Sequence, residues 1–233
     1  NGTWSASDSL YYDTTAPTVI DDLASTSQPA TNSTVVEWTW TSGTDTLGAT
    51  NSGVSHDELQ WRVDTGAGFG GWNVVNPASS AHDFSAILTA NGQGLYEVQV
   101  RTVDNAGNGT WSASDSLYYD TTAPTVTLTL PSAGLETNDE SLVFEGTITD
   151  TGGSGIDEST IEWTVMNPGG SPVNGTPSWS APDATFDPID AELDIEGTYS
   201  VTLSAEDLAG NGGNDSVTFV FDKTPPALDS STV

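Results

Sequence analysis

The sequence predicts an all-β protein made of two tandem antiparallel β-sandwich domains. Short runs rich in Val, Thr and aromatic residues are separated by Gly, Pro, Asn and Asp, a pattern typical of strands joined by turns. Eight Trp, six Tyr and six Phe in 233 residues argue for a folded core, although the net charge of −30 by itself favours disorder. A third observation, an internal repeat, sets the number of domains.

The internal repeat is identical over a long segment. Residues 1–19 recur as residues 108–126, and residues 219–226 (FVFDKTPP) echo residues 117–124 (LYYDTTAP). Two complete units therefore follow a short stub. The predicted domains are residues 1–13 as the last strand and linker of a preceding repeat, 14–120 as repeat 1, 121–222 as repeat 2, and 223–233 as a linker into a following repeat.

The predicted strands alternate at period two. Val36, Trp38 and Trp40 share one face of their run, and the intervening residues are Glu and Thr. Matched runs occur in the same order in both repeats, at 36–41 and 144–149, 59–61 and 161–163, and 94–100 and 197–203. Strands with one apolar face belong to antiparallel sheets packed on one side. About seven such runs in ~100 residues predict a two-sheet sandwich without helices.

Four motifs occur in a fixed order and make the comparison with known repeat families more specific. A Trp on a middle strand precedes Gly-x-Tyr-x-Val, then Asp-x-Ala-Gly-Asn, then an aromatic strand that ends in Asp-x-Thr-x-Pro. The chain resembles the bacterial immunoglobulin-like (Ig-like) tandem repeats of large calcium-dependent surface adhesins, of the extender type, which overlap in pattern with fibronectin type III modules. The resemblance implies two Ig-like sandwiches arranged end to end. It also implies that Trp61 and Trp163 are core residues and that Tyr96 and Tyr199 are tyrosine corners.

The sandwich topology brings acidic residues that are distant in sequence to the joints between repeats. The linker that leads into a repeat arrives at the end that carries the B–C and F–G loops of that repeat. Asp13 is thus expected near the B–C loop that holds Asp45 and Asp57. The predicted metal ligands are Asp13, Asp45, Asp104 and Asn108 for repeat 1, Asp120, Asp150, Asp157, Asp207 and Asn211 for repeat 2, and Asp222 for a third repeat.

Calcium is the expected cofactor at these joints. Carboxylates that converge without Lys or Arg repel one another by about 1 kcal/mol or more per close pair. Ca²⁺ relieves this repulsion because it binds about six to eight oxygen atoms from Asp, Asn and backbone carbonyls. The resemblance implies the same ion, since related repeats hold calcium between successive domains. An alternative is that Asp-x-Ala-Gly-Asn is only a hairpin turn, and the sequence contains no EF-hand loop.

The composition excludes several classes of function. Three basic residues against 33 acidic ones exclude nucleic acid and anionic membrane surfaces as partners. No segment is long and apolar enough for membrane insertion, and the absence of Cys excludes disulfides and thiolate sites. His56 and His82 are expected to be solvated loop residues. No pair of acids stands out as a glycosidase acid and base, so no enzymatic activity is expected.

These observations predict a non-catalytic spacer of a long extracellular or cell-surface adhesin. Its partners are neighbouring repeats of the same chain, and its acidic surface keeps a long tandem array soluble. Two alternatives stay open. One is a glycan- or protein-binding surface module that uses Trp72 or the longer loop at residues 42–51. The other is a cell-wall or surface-layer structural component.

Overall fold

The structure, a computed structural model, describes residues 12–27, 29–46, 52–151, 153–188 and 193–227. The chain divides into two compact units, Asn1–Thr121 (unit 1) and Thr122–Val233 (unit 2). Each unit is a β-sandwich with its own core, which confirms the predicted fold class. Most of the predicted N-terminal strand and the end of the predicted C-terminal linker, residues 1–11 and 228–233, lie outside the described residues.

Unit 1 packs a five-stranded sheet against a three-stranded sheet. Its elements are β1 Ala24–Ser25, β2 Ala30–Thr31, β3 Glu37–Thr39, β4 Val54–Asp64, β5 Asn73–Ala78, β6 Ala81–Asp83, α1 Ser85–Asn91, β7 Gly94–Asp104 and β8 Asp115–Tyr119. The larger sheet has the order β2-β8-β7-β4-β5 and the smaller one β1-β3-β6. The pairings within both sheets are antiparallel apart from the edge pair β2–β8, in which Ala30 lies opposite Tyr118.

Unit 2 packs two four-stranded sheets. Its elements are β9 Thr125–Leu130, β10 Glu136–Thr137, β11 Phe144–Thr149, β12 Ile156–Met166, β13 Gly175–Ser180, β14 Asp183–Pro188, β15 Gly197–Asp207 and β16 Gly212–Phe221. The sheet orders are β10-β16-β15-β12 and β13-β14-β11-β9. A parallel edge pair recurs here, because Glu136 of β10 lies opposite Val220 of β16.

The helix α1 is a correction to the prediction that the sandwich contains none. Its seven residues carry one buried side chain, Leu88, which packs into the core of unit 1. Ile87 is partly buried beside it, and two adjacent apolar residues give no helical repeat, so periodicity could not reveal this element. Among the described residues, no helix reaches the length and hydropathy that crossing a membrane requires.

The two histidines lie in strands and not in the solvated loops that were expected. His56 is in β4, with its Nε2 3.4 Å from Glu58 Oε1. His82 is in β6, and its ring meets Phe84 edge-on at a centroid distance of 5.7 Å. Burial lowers the pKa of His82, so the neutral imidazole is favoured there. β4 begins before the matched run at 59–61, and β6 is a three-residue strand without an alternating run, which is why the prediction was wrong.

The predicted core positions are confirmed in both units. Val36, Trp38 and Trp40 are buried, and Trp38 packs against Phe84 at a centroid distance of 5.9 Å. In unit 2 the core includes Phe144, which stacks on Phe186 at 5.9 Å. The strand C residues Trp61 and Trp163 are partly buried against these cores.

Tyr96 and Tyr199 are both fully buried and form the predicted tyrosine corners. Each hydroxyl is hydrogen-bonded to the backbone of the residue four positions earlier, Gly92 in unit 1 and Ile195 in unit 2. The start of strand F is thereby fixed to the preceding loop in both sandwiches.

Candidate metal centre

Three aspartates from three separate segments meet at one end of unit 1. Asp13 lies in the segment that leads into the sandwich, Asp45 in the loop after β3, and Asp104 at the end of β7. One carboxylate oxygen of each lies within 4.8 Å of the others. We call these residues the Asp cluster of unit 1. The topology therefore brings together three residues that the sequence analysis predicted as ligands.

Asp104 is fixed by the turn Asp104–Asn108. The Asp104 N–H donates to the Asn108 carbonyl at 3.0 Å, and Gly107 adopts the positive φ of 92° that this turn requires. Asp104 Oδ1 accepts hydrogen bonds from the N–H groups of Ala106 and Asn108, both at 2.8 Å. Burial raises the pKa of Asp104 and so does the charge of Asp13, but the bonds from Asn108 and Ala106 outweigh both and hold it below its ordinary value.

Asp13 connects the incoming segment to the B–C loop. Its Oδ1 accepts from the Thr15 N–H at 2.9 Å, and its Oδ2 accepts from the Ser52 N–H at 2.9 Å. These two backbone donors, Thr15 first, lower the pKa of Asp13. Asp45 is held from the same loop, because its Oδ2 accepts from the Gly53 N–H at 2.9 Å. All three carboxylates are thus oriented by backbone N–H groups before any ligand binds.

Asn108 presents its amide nitrogen to the cluster. Its Nδ2 donates to the Asp13 carbonyl at 3.0 Å and to Asp104 Oδ2 at 2.9 Å. Sequence analysis predicted Asn108 as an oxygen ligand, and in this arrangement the side-chain oxygen is not the atom that faces the carboxylates. Amide oxygen and nitrogen exchange places by a 180° flip, so ligation through Oδ1 requires that flip.

No cationic side chain of the protein neutralises the Asp cluster. The sequence contains three basic residues, and each is paired with a glutamate elsewhere. Arg62 bonds Glu97 at 2.5 Å, Arg101 bonds Glu58 at 2.6 Å, and Lys223 contacts Glu140. The hydrogen bonds described above for Asp13, Asp45 and Asp104 all come from neutral donors.

Unit 2 repeats the local geometry of unit 1. The Gly155 N–H donates to Asp150 Oδ2 at 2.7 Å, as the Gly53 N–H donates to Asp45. Asp207 Oδ1 accepts from the Asn211 N–H at 2.9 Å, and Asn211 Nδ2 donates to Asp207 Oδ2 at 2.8 Å. Asp150 and Asp207 each place a carboxylate oxygen within 4.8 Å of the other. Asp150 is thus the structural equivalent of Asp45, and Asp207 of Asp104.

The other predicted ligands are Asp120, Asp157 and Asp222. Asp120 and Asp222 follow the last strands of their units, and their N–H groups donate to Thr31 and Thr137. The Asp222 carboxylate accepts from the Thr224 N–H at 2.8 Å, in the same way that Asp13 accepts from Thr15. Asp157 lies in β12, and its Oδ1 accepts from the Ser159 N–H and hydroxyl. It is not among the carboxylates gathered in the described part of unit 2.

The residues of the Asp cluster fit a hard divalent cation. Their potential ligand atoms are carboxylate and carbonyl oxygens, which such ions prefer. A hydroxyl also lies beside them: Ser52 Oγ is shielded from solvent, and the N–H and side chain of Ser52 both help to lower the pKa of Asp13. Its oxygen adds to the oxygen-only set of donor atoms that hard cations select.

One face of the Trp72 ring is covered by an arginine. The Arg62 guanidinium lies 4.5 Å from the Trp72 ring centroid and 4.4 Å from that of Phe69. Trp111 is contacted in the same way by Arg101, at 4.5 Å. Cation–π contacts of this kind occupy one face of each ring, so a sugar that stacks on Trp72 would use the opposite face.

Comparison with known proteins gives one family match, to the second half of the chain. Residues 120–231 match the family described as bacterial Ig-like domain. No curated protein matches the chain.

Solved structures with related folds are only weakly similar. They include the I67–I69 fragment of titin (14% identity, 87% of this chain, 61% of that one, TM-score 0.45). The fibronectin(III)-like modules of Clostridium thermocellum CbhA also match (16% identity, 85% of this chain, 93% of that one, TM-score 0.37). A tetra-tandem repeat from the extending region of a large adhesion protein matches at 20% identity (86% of this chain, 49% of that one, TM-score 0.40).

The family match covers residues 120–231, and unit 1 is also a two-sheet sandwich with a buried tyrosine at the matched position and an Asp-x-Ala-Gly-Asn turn. The chain therefore carries a bacterial immunoglobulin-like repeat, which the family match places at residues 120–231.

Proposed function

We propose that this chain is a non-catalytic spacer of a large extracellular surface protein, stiffened by Ca²⁺ bound where one Ig-like repeat follows another. The observation that carries the proposal is the Asp cluster of unit 1, in which three carboxylates from distant segments converge without a protein cation. Asp13, Asp45 and Asp104 would hold the ion, with the Asp13 carbonyl and the Ser52 hydroxyl as further oxygen atoms.

Bound calcium would supply the positive charge that the cluster lacks. Its physical effect is mechanical, because the ion joins the segment before the sandwich (Asp13) to two loops of the sandwich itself (Asp45 and Asp104). Without the ion, these segments are held together by single hydrogen bonds such as Ser52 to Asp13. A cation that is shared by all three would restrict the motion of the incoming linker.

The internal repeat extends the proposal to the other joints. The segment that contains Asp120 is identical in sequence to the one that contains Asp13, so we assign Asp120 the same role toward Asp150 and Asp207. Asp222 occupies the equivalent position after unit 2 and would serve a following repeat. Neighbouring repeats of the same chain are therefore the proposed partners, and the cell surface is the proposed location.

Calorimetric titration of the 233-residue chain with Ca²⁺ tests the metal site. Asp104→Asn should weaken binding, because it removes one charge from the cluster. Asp64→Asn is a matched control, since Asp64 Oδ1 also accepts from two backbone N–H groups, Gly66 and Gly68, at 2.8 Å. Extracellular calcium sites have dissociation constants of about 10⁻⁴–10⁻³ M. Absence of binding at about 10 mM Ca²⁺ would overturn the calcium proposal.

Small-angle X-ray scattering in calcium and in chelator tests the mechanical consequence. The wild-type chain should sample fewer conformations in calcium, and Asp104→Asn should reduce that difference while Asp64→Asn preserves it. Identical scattering profiles under both conditions, with calcium binding demonstrated by calorimetry, would refute the stiffening role and leave only a local site.

A further inference from the structure

Asp57 is a buried carboxylate in unit 1 that the metal site does not use directly. It lies in β4, is 6% exposed, and belongs to none of the ion pairs among the described residues. Three neutral donors satisfy it: Trp40 Nε1 at 2.9 Å and Ser42 Oγ at 2.5 Å on Oδ2, and Thr102 Oγ1 at 2.6 Å on Oδ1. A buried charge without a counter-ion is costly unless it is fully hydrogen-bonded, so this arrangement calls for an explanation.

The three donors connect Asp57 to the loop that carries Asp45. Thr102 also accepts a hydrogen bond from the Gly43 N–H at 2.7 Å. One residue further, the Thr44 N–H donates to Thr18 Oγ1 at 2.7 Å, and the Thr18 N–H donates to the Thr44 carbonyl at 2.9 Å. Residues 42–44 are therefore fastened to β4, to β7 and to the incoming segment, immediately before Asp45.

Gly43 shows how closely this loop approaches its neighbours. A Cβ atom at this position would lie 2.2 Å from the Thr18 carbonyl oxygen and 3.2 Å from Thr102 Oγ1. The loop backbone thus packs directly against the two segments that carry Asp13 and Asp104. Its position is set by these contacts and by the Asp57 hydrogen bonds behind them.

Unit 2 cannot form the same hydrogen bonds at the matched positions. The positions of Trp40 and Thr102 are taken by Ile148 and Ala205, both buried and apolar. Asp150 follows β11 directly, because that strand ends at Thr149. In unit 1 the connection from the end of β3 to Asp45 is longer. The position of Asp45 is therefore set by hydrogen bonds along this connection, whereas the position of Asp150 is set mainly by the end of β11.

We propose that Asp57 and Thr102 are positioning residues that set the cation affinity of the unit 1 site alone. The inference rests on the proposed calcium function and deepens it. The two repeats share a fold and an aspartate pattern, yet their sites respond differently to changes in the core. Removal of a group that orients a metal ligand typically costs about 10–100-fold in affinity.

The test is calcium titration of Thr102→Val and Thr102→Ser in the 233-residue chain. Thr102→Val removes the hydroxyl at nearly constant volume, and it should weaken one class of calcium sites by about tenfold while the other class is unchanged. Thr102→Ser keeps the hydroxyl and should restore binding. The proposal would be overturned if a folded Thr102→Val protein bound calcium at both classes of site with unchanged affinity. It would also be overturned if both classes lost affinity equally.

Amide hydrogen exchange without calcium gives a second readout that does not require ion binding. In Thr102→Val and Asp57→Asn, the amides of Gly43 and Thr44 should exchange faster than in the wild type, while those of Gly155 in unit 2 should not. Unchanged protection of Gly43 and Thr44 would contradict the positioning role. If the wild type binds no calcium, the proposed function fails, whereas the exchange result still decides whether Asp57 holds the loop.

Discussion

The Tyr96 hydroxyl donates a hydrogen bond to the Gly92 carbonyl at 2.7 Å, which ties the core of unit 1 to the loop before β7. In unit 2 the polarity is reversed, because Tyr199 accepts from the Ile195 N–H at 3.2 Å. The same corner thus satisfies a carbonyl in one repeat and an N–H in the other.

Tyr96→Phe should lower the free energy of unfolding of unit 1 by about 1–2 kcal/mol, since the part-buried hydrogen bond to the Gly92 carbonyl is lost. Tyr199→Phe should cost a similar or smaller amount, because its bond is longer. Denaturant unfolding followed by fluorescence measures both. An unchanged midpoint for Tyr96→Phe would show that solvent replaces the lost bond.

Alkaline titration gives a separate signature of the same residue. Burial, aided by the nearby Tyr119, raises the pKa of Tyr96 to about 12. Because the pKa of Tyr96 is higher in the folded protein, the neutral phenol stabilises the folded state. This contribution to the free energy of unfolding is complete below pH 10.0 and is lost as the pH rises toward about 12. Ultraviolet titration should show a late-ionising tyrosine that is missing in Tyr96→Phe.

Acid should weaken the end of unit 1 that carries the Asp cluster. The pKa values of Asp13 and Asp104 are lowered from 3.8, so their contribution to stability is present above that value and is lost as the pH falls below it. Calcium should move this loss to lower pH, because the ion competes with protons. Asp104→Asn should diminish the calcium-dependent shift. Asp83→Asn is the control, since the Asp83 carboxylate caps Ser85 outside the cluster.

Gly146→Ala should destabilise unit 2 by about 1–3 kcal/mol through overpacking. A Cβ on Gly146 would lie 2.7 Å from Leu203 Cδ2 and 2.9 Å from the Thr127 carbonyl oxygen, and the backbone atom cannot move aside easily. Gly212→Ala serves as the control in the same unit, because its nearest neighbour, Glu206 Cγ, is at 3.9 Å. Thermal unfolding should separate the two variants, and equal melting temperatures would contradict the packing argument.

Arg101→Leu should cost about 2 kcal/mol or more, because it leaves the buried Glu58 carboxylate without its cation. Lys223→Leu removes an ion pair that is far more exposed and should cost about 0–1 kcal/mol. Urea unfolding of the two variants at neutral pH compares the pairs directly. A smaller effect for Arg101 than for Lys223 would refute the assignment of Glu58 as a buried partner.

Sequence periodicity was sufficient for the fold and for part of the site. The alternation that placed Trp38 and Trp40 in the core follows from the pleat of a strand. The prediction is therefore independent of the conformation of the loops. The convergence of Asp13, Asp45 and Asp104 followed from which loops share an end of the sandwich. Helix α1 was missed because its seven residues make only about two turns, with Leu88 buried and the adjacent Ile87 partly buried, which is too short for a helical repeat.

The roles of Asn108, Asp57 and Asp157 depended on contacts that spacing alone does not fix. The amide orientation of Asn108 is set by two acceptors from different segments. The sequence does indicate that the Asp57 side chain points inward. Residues 57, 59 and 61 alternate along one strand, so Asp57 lies on the same face as Leu59 and Trp61. Asp157 lies at a register shift between β12 and β15, which turns its side chain to Ser159.

The parallel edge pairs determine how each sandwich responds to a pulling force. Because β2 runs in the same direction as β8, tension on the two ends of unit 1 slides these strands past each other lengthwise. The bonds from Tyr118 to Pro29 and from Asp120 to Thr31 then carry the load together. In unit 2 the bonds from Val220 to Leu135 and from Asp222 to Thr137 do the same. Rupture must break such bonds at once and not one after another, so each sandwich should resist a pulling force along its strands.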